Sequence, residues 1–340
     1  MATVREQEAF LRAFHAAHPA VTVRAMAHGR AEDGRSSYEI LRDRVAACDR
    51  VLDLGCGDGL LLELLAERGR RTDRALADRE LADRALTDRE RTDRALTDGE
   101  LADRALTDRE RTDRALTDGE LADRAPADRE LAGLDLAAEE LALARRRPGL
   151  ARADLRAGRA QQLPFEDGRF DGCVSHMALM LMGDIEQVAA EVARVLAPGG
   201  TLAVALGGGA AGGEAYTAFL RVARPLFAAA PADQRIPSLG DRRLRNREGF
   251  DAVFGPAGFG PVRWETVRID LTGPPERVWA TMGGFYDLGP LDPAVTADLR
   301  TRFEREAASL ALPDGRIPCA MRVHIATAMR VHIATAVRGA

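Results

Sequence analysis

Apolar positions along the chain follow three rhythms. Val51–Leu54 is a short apolar run before a glycine-rich turn and reads as a buried strand, and the Leu-rich stretch 60–67, with Gly69 just beyond it, reads as a helix. Residues 131–135 form a second short apolar strand ending in Asp135, followed by a helical pattern in AAEELALARRR. SSYEILRDRV at 36–45 has the spacing of a further helix. The start, MATVREQEAFLRAF, is a charged amphipathic helix without the apolar centre of a secretory signal. Residues 207–245 read as a glycine-rich hinge and then an amphipathic helix, and residues 272–312 as two helices between a sixth and a seventh strand.

Between the first helix and the second strand the rhythm changes to five. Residues 72–131 divide into twelve pentads such as TDRAL, ADREL and TDGEL. As a solenoid, this pattern would turn Arg74, two positions before Leu76, into the first rung of a buried arginine ladder, which is too costly without partners. As a helix it gains small i, i+4 pairs such as Glu80/Arg84 and Glu90/Arg94. Yet a five-residue step leaves successive leucines about 140° apart, so no apolar stripe forms. The segment reads as a solvated charged insertion, partly helical, with an interaction module as the alternative. A second duplication, MRVHIATA at 321–328 and 329–336, offers the last strand twice, and only one copy can fill one strand position. His324 and His332 are therefore copies of one position and not a metal pair.

The chain has 340 residues, 46% of them hydrophobic, enough for a sizeable core. No run of 18 uncharged apolar residues is present, which argues against a membrane span. The net charge is −5, but residues 72–131 carry 18 acidic residues and 12 arginines, so the rest of the chain is close to neutral at +1. A near-neutral body gives no basic face for nucleic acid and favours a small molecule as partner. Cys48, Cys56, Cys173 and Cys319 lie far apart without metal-ligand spacing, as expected of reduced thiols in a cytoplasmic protein. No metal site is expected.

The chemistry concentrates in Asp53-Leu-Gly55-Cys56-Gly57-Asp-Gly59, a glycine turn between strand and helix. Glycines admit close backbone approach, and a helix N-terminus offers free N–H donors, as in nucleotide-type cofactor sites of doubly wound sheets. A dinucleotide GxGxxG would need glycine where Leu60 stands. The acidic residue that binds ribose in such folds falls about 20 residues after the glycines. Gly55 to Asp135 is 80 residues, and removing the 60 of the repeat leaves 20.

The pattern DxGxGxG resembles motif I of class I S-adenosylmethionine-dependent methyltransferases, small-molecule type 11-like branch. Leu163-Pro-Phe165, Phe170-Asp171 and Arg194-Val-Leu-Ala-Pro-Gly-Gly200 resemble later pieces of that family. The resemblance implies a Rossmann-like, doubly wound, mostly parallel seven-stranded α/β sheet with helical cap elements. It implies S-adenosylmethionine as cofactor, held by Asp53, Gly55, Cys56, Gly57, Gly59, Asp135, Leu136, Arg159, Ala160, Gln161 and Ser175. His176, at a strand end beside the cofactor, is the candidate catalytic residue, as a general base. His15 and His18, on the N-terminal helix, read as surface or lid packing. Met177, Met180 and Met182 suit an adaptable core or an apolar acceptor pocket. Trp279, Phe285 and Tyr286 are candidate acceptor-site aromatics, with core packing as their ordinary role. Two departures stand out: Arg159 occupies the position where the family places an acidic residue for the adenine amino group, and Met180-Leu181 replaces a frequent histidine pair.

The expected organisation is an N-terminal helical cap over 1–45, a catalytic domain of 46–71 and 132–340 with cap elements at 207–245 and 272–312, and the insertion 72–131. The expected activity is methyl transfer to a small-molecule acceptor. An NAD-dependent oxidoreductase and a non-catalytic scaffold with a vestigial cofactor site are the alternatives.

Overall fold

Seven strands form one sheet in the order β3-β2-β1-β4-β5-β7-β6, with β7 antiparallel to both neighbours and the β1–β5 part parallel. They are β1 Arg50–Leu54, β2 Glu130–Asp135, β3 Asp154–Ala157, β4 Phe170–His176, β5 Leu196–Ala210, β6 Arg263–Asp270 and β7 Ala320–Met329. The computed structural model describes residues 3–67, 129–212 and 214–331. Residues 72–128 of the repeat, Gly69 and residues 332–336 of the second MRVHIATA copy lie outside the described residues. The first copy supplies β7, whose backbone pairs on both sides, so the last strand position is filled by residues 321–328.

Strand burial follows position in the sheet. Val51–Leu54 and Leu131–Leu134 are buried without alternation, because a parallel central strand is covered on both faces. At the edge, β6 has only Ile269 fully buried. Residues 207–210, expected as a hinge, instead continue β5. The glycines make a bulge there: pairing with β7 shifts between Gly207 and Ala210, and Gly209 has φ +79°.

Ten helices flank the sheet among the described residues: α1 Val4–Ala17, α2 Val21–Met26, α3 Ser37–Arg44, α4 over 60–67, α5 Ala138–Ala144, α6 Ile185–Val195, α7 Ala215–Ala229, α8 Arg247–Phe254, α9 Pro275–Met282 and α10 Pro293–Ala308. Capping boxes start two of them, Thr3/Glu6 before α1 and Ser36/Glu39 before α3. Helix α6 presents Ile185, Val188, Ala189, Val192 and Val195 to the core beside Leu52, Leu54 and Phe170, with Phe250 and Phe254 of α8 stacked at 4.4 Å in the same cluster. Each of the valine, leucine, isoleucine and phenylalanine side chains among these contributes about 1.5–3 kcal/mol against solvent exposure. Helices α2, α7, α9 and α10 pack on one another, and α1 lies against α5. Phe219, Phe285, Trp279 and Phe303 form the aromatic centre of this cap.

Candidate active site

Strand order reverses at β1, whose neighbours are β2 on one side and β4 on the other, and there the strand ends leave a crevice. The loop leaving β1 is drawn toward β2 by two bonds, the Gly55 and Cys56 N–H groups both donating to Leu134 O at 2.8 and 3.0 Å. All three of its glycines, Gly55, Gly57 and Gly59, have positive φ. A Cβ on Gly55 (φ +76°) would come 2.4 Å from Ala178 Cβ, while Gly57 (φ +52°) has nothing within 4 Å of that position and leaves an open cradle. The Gly57 N–H donates to Asp135 Oδ2 at 2.8 Å, and the Ala137 N–H to Asp135 Oδ1 at 2.8 Å, so one carboxylate ties the ends of β1 and β2 together. Arg147 braces the same loop through Asp58 (2.5 Å) and Glu63 (2.6 Å).

Two lobes of a cleft open over this loop and share His15, Gly55, Asp135, Ala178 and Leu181. The first lobe holds Asp53, Gly57, Asp58, Tyr38, His176 and Glu140. The second is largely apolar, walled by Leu11, Leu134, Leu136, Ala160 and Met182, with Glu8 and Gln161 among its polar groups.

Asp53 is 1% exposed, and its Oδ1 has no hydrogen-bond partner. Burial, then the charges of Asp135 and Asp58, hold its carboxyl well above the ordinary range. Burial also raises Asp135, against the pull of its two backbone bonds. His176 stacks on Tyr38 with centroids 3.7 Å apart, hydrogen-bonds Ser37 Oγ through Nε2 at 2.9 Å, and has no partner at Nδ1. Burial lowers its pKa to about 3, so the ring is neutral. Above the waist of the cleft runs a three-membered chain. Glu140 Oε1 meets His15 Nδ1 at 3.0 Å, and His15 Nε2 meets the Tyr286 hydroxyl at 3.1 Å. The same Glu140 oxygen accepts the Ala20 N–H at 2.9 Å, so a buried carboxylate on α5 fixes both α1 and the turn after it. Burial, with the Asp135 and Glu140 charges, pushes the Tyr286 phenol up, and it stays protonated.

The family model described as "Methyltransferase domain" matches residues 115–204, a span that includes β2 through most of β5 and Asp135. A second, "Methionine biosynthesis protein MetW", matches residues 35–85, with α3, β1 and the glycine turn. Over the matched stretch the chain is similar to methyltransferase domains. Among solved structures, the chain is similar to the YcgJ protein of Bacillus subtilis, at 15% identity over 87% of this chain and 98% of that one, TM-score 0.45. It is similar also to a geranyl diphosphate methyltransferase (14%, 87% and 77%, 0.43) and to the [4+2]-cyclase SpnF (18%, 95% and 92%, 0.45).

The expected site residues separate into three groups. Asp53, Gly55, Cys56, Gly57 and Asp135 line the first lobe, and Leu136, Ala160 and Gln161 the second. Gly59, Ser175 and Arg159 line neither. A Cβ on Gly59 would strike Leu150 and Ala144, so this glycine serves close packing against the α5 region. Ser175 is fully buried and spends its hydroxyl on Leu54 O (2.8 Å) and the Leu179 N–H (3.2 Å), a brace between strands. Arg159 stands behind Glu8 and pairs with it. His176 reaches the first lobe, but a ring that binds a proton only near pH 3 is a poor acceptor for one at neutral pH. Of the three cap aromatics only Tyr286 lines the cleft, while Trp279 and Phe285 pack on Phe219 in the cap. His15, expected as packing, is a shared wall of both lobes.

Sequence reasoning missed Glu8, Ser37, Tyr38 and Glu140. Ser37 follows a cap and Glu140 sits in a first helical turn, ordinary places for a hydroxyl and an acid. No local signal separates them from surface residues.

Proposed function

We propose that this cleft binds S-adenosylmethionine along its length and transfers the methyl group to a small-molecule acceptor beneath the cap. The observation that carries the reading is Asp135, the carboxylate shared by both lobes and bonded to the open Gly57 cradle. The cofactor combines an amino-acid end bearing an ammonium, a ribose diol and a purine, and the chain offers a matching feature for each. Asp53, a buried carboxylate with an orphaned oxygen in the first lobe, suits the ammonium. Asp135 retains acceptor capacity beyond its two backbone bonds and suits the diol. The apolar second lobe suits a flat heterocycle.

When bound, the cofactor supplies a methyl group on a sulfonium, open to displacement. What the chain contributes is alignment and the exclusion of water. The glycine turn holds one side of the cleft, Ala178 and Leu181 wall it, and α1 closes over it through His15, Tyr286 and Glu140. His176, neutral and stacked on Tyr38, shapes the first lobe as a hydrogen-bonding group and leaves the acceptor's proton to another acceptor.

The repeat lies between α4 and β2, except that its last two residues, Glu130 and Leu131, are the first two of β2; in this reading the rest of the repeat is an insertion into a catalytic domain, with cap segments at 1–45, 207–245 and 272–312. Four buried cysteines without a disulfide agree with a cytoplasmic setting. No described helix is long and apolar enough to cross a membrane.

Calorimetric titration of the full chain with S-adenosylhomocysteine and with NAD tests the reading. Saturable binding of the first is expected, and saturable binding of NAD alone overturns it. A chain lacking 72–129, which keeps the whole of β2, is expected to bind S-adenosylhomocysteine as tightly as the full chain. A folded deletion variant that has lost binding refutes the insertion.

A further inference from the structure

The second lobe is apolar on most of its walls, yet it contains a carboxylate. Glu8, on α1, is 9% exposed and lines this lobe together with Ala160 and Leu136, with Arg12 and Asp135 as its other charged residues. A carboxylate buried against leucines is costly unless its charge is balanced. The balance comes from Arg159, in the loop after β3, whose Nε–H is shared between Glu8 Oε1 at 2.7 Å and Oε2 at 2.9 Å. Arg159 is itself 39% exposed in its side chain, so it neutralises Glu8 from the solvent side and does not enter the lobe. One N–H shared by two oxygens leaves acceptor positions on both, and no other donor to Glu8 is present among the described residues. The result is an apolar slot with a charge-balanced acceptor set in its wall.

We infer that Glu8 is the specificity-determining residue of the cofactor's purine: its carboxylate accepts a hydrogen bond from the exocyclic amino group and rejects a base that carries a carbonyl there. This rests on the proposed placement of the cofactor in the cleft. It also accounts for arginine at 159. An arginine there can only donate, but it recruits an acid from another element and so supplies the acceptor indirectly. Because Glu8 rides on α1, base recognition and closure of α1 over the cleft become one event. The same helix carries His15, and with it the contacts to Glu140 and Tyr286 over the waist.

The test compares S-adenosylhomocysteine with S-inosylhomocysteine, which has a 6-oxo group in place of the amine, by calorimetry on the full chain. Wild type is expected to prefer the adenosyl compound by about tenfold to a hundredfold, since an acceptor facing an acceptor loses one bond and gains repulsion. In Glu8→Gln the amide can turn either its oxygen or its NH2 toward the base, so the preference is expected to fall to about threefold or less. Each ratio is measured within one protein, so a loss of fold that weakens both ligands does not imitate the result. Wild type that binds both compounds equally overturns the inference, and so does a folded Glu8→Gln protein that keeps the full preference. Wild type that binds neither compound overturns the methyltransferase placement and this inference with it, a result separate from the other two.

Discussion

Asp53 and Glu8 are both buried carboxylates lining the same cleft, one in each lobe, and they solve the same electrostatic problem in opposite ways. Glu8 has its counter-cation within the protein, in Arg159, which shares its Nε–H between both carboxylate oxygens. Asp53 has none: it stands 1% exposed beside Asp135 and Asp58, with one oxygen unpartnered, and its carboxyl is held well above the ordinary range. A balanced carboxylate is an acceptor for a neutral N–H donor, and an unbalanced one is a receptor for a cation. The lobes therefore differ in the charge they call for, and the differences can be separated by mutation.

The largest effect is expected where both lobes meet. Asp135→Ala removes the shared acceptor and frees the Gly57 N–H, and it should weaken S-adenosylhomocysteine by about a hundredfold or more in calorimetry. Retention of wild-type affinity would mean that the waist is not the anchor.

Asp53→Asn should act on the first lobe alone, weakening S-adenosylhomocysteine by about tenfold to a hundredfold while leaving the adenosyl-to-inosyl ratio unchanged. Its effect on the free protein has the opposite sign. A carboxyl whose folded pKa is raised stabilises fully below its unfolded value near 4, and that contribution is lost as pH rises through the folded pKa. Thermal melts without ligand should show Asp53→Asn gaining a few °C on wild type at pH 8 and little or nothing at about pH 4. A constant difference across that range would show that Asp53 is not the strained acid described here.

His176 sharpens the contrast from the other side of the first lobe. Its pKa is lowered to about 3 by burial, so the unfolded chain binds a proton there at a pH where the folded chain does not. Its contribution is present above about pH 6.5 and declines as pH falls toward 3. His176→Gln should flatten the acid side of the stability profile, and the His176 ring resonance in wild type should not titrate between pH 8 and 5. A midpoint near 6.5 would return the ring to the role of a neutral-pH base.

The smallest effect belongs to Tyr286→Phe, which keeps the ring against Phe14 (4.6 Å between centroids) and removes only the hydroxyl bonded to His15. It should cost about 0.5–1.5 kcal/mol in thermal or denaturant unfolding and leave the ratio of the two cofactor analogues as in wild type.

Legibility in the sequence followed the range of the interactions. Strand β1, the glycine turn, helix α4 and strand β2 ending at Asp135 were readable, because apolar runs, glycine conformation and chain spacing act over a few residues. The glycines at 207–209 misled as a hinge: their local signal is the same for a bulge, and only pairing with β7 distinguishes the two. Ser175 and Gly59 were readable as members of the motif but not as braces, since what they touch comes from Leu54, Leu179, Ala144 and Leu150.

The sequence by itself determined the sheet's central elements, the crevice at the end of β1 and the acids on its floor. Tertiary structure alone decided the lid. Glu8 and Arg159 are 151 residues apart, His15 and Glu140 are 125 apart, and His15 and Tyr286 are 271 apart. No periodicity or spacing rule spans such separations. Whether a carboxylate is balanced or left bare depends on which distant side chain folding carries to it, and that is settled by packing.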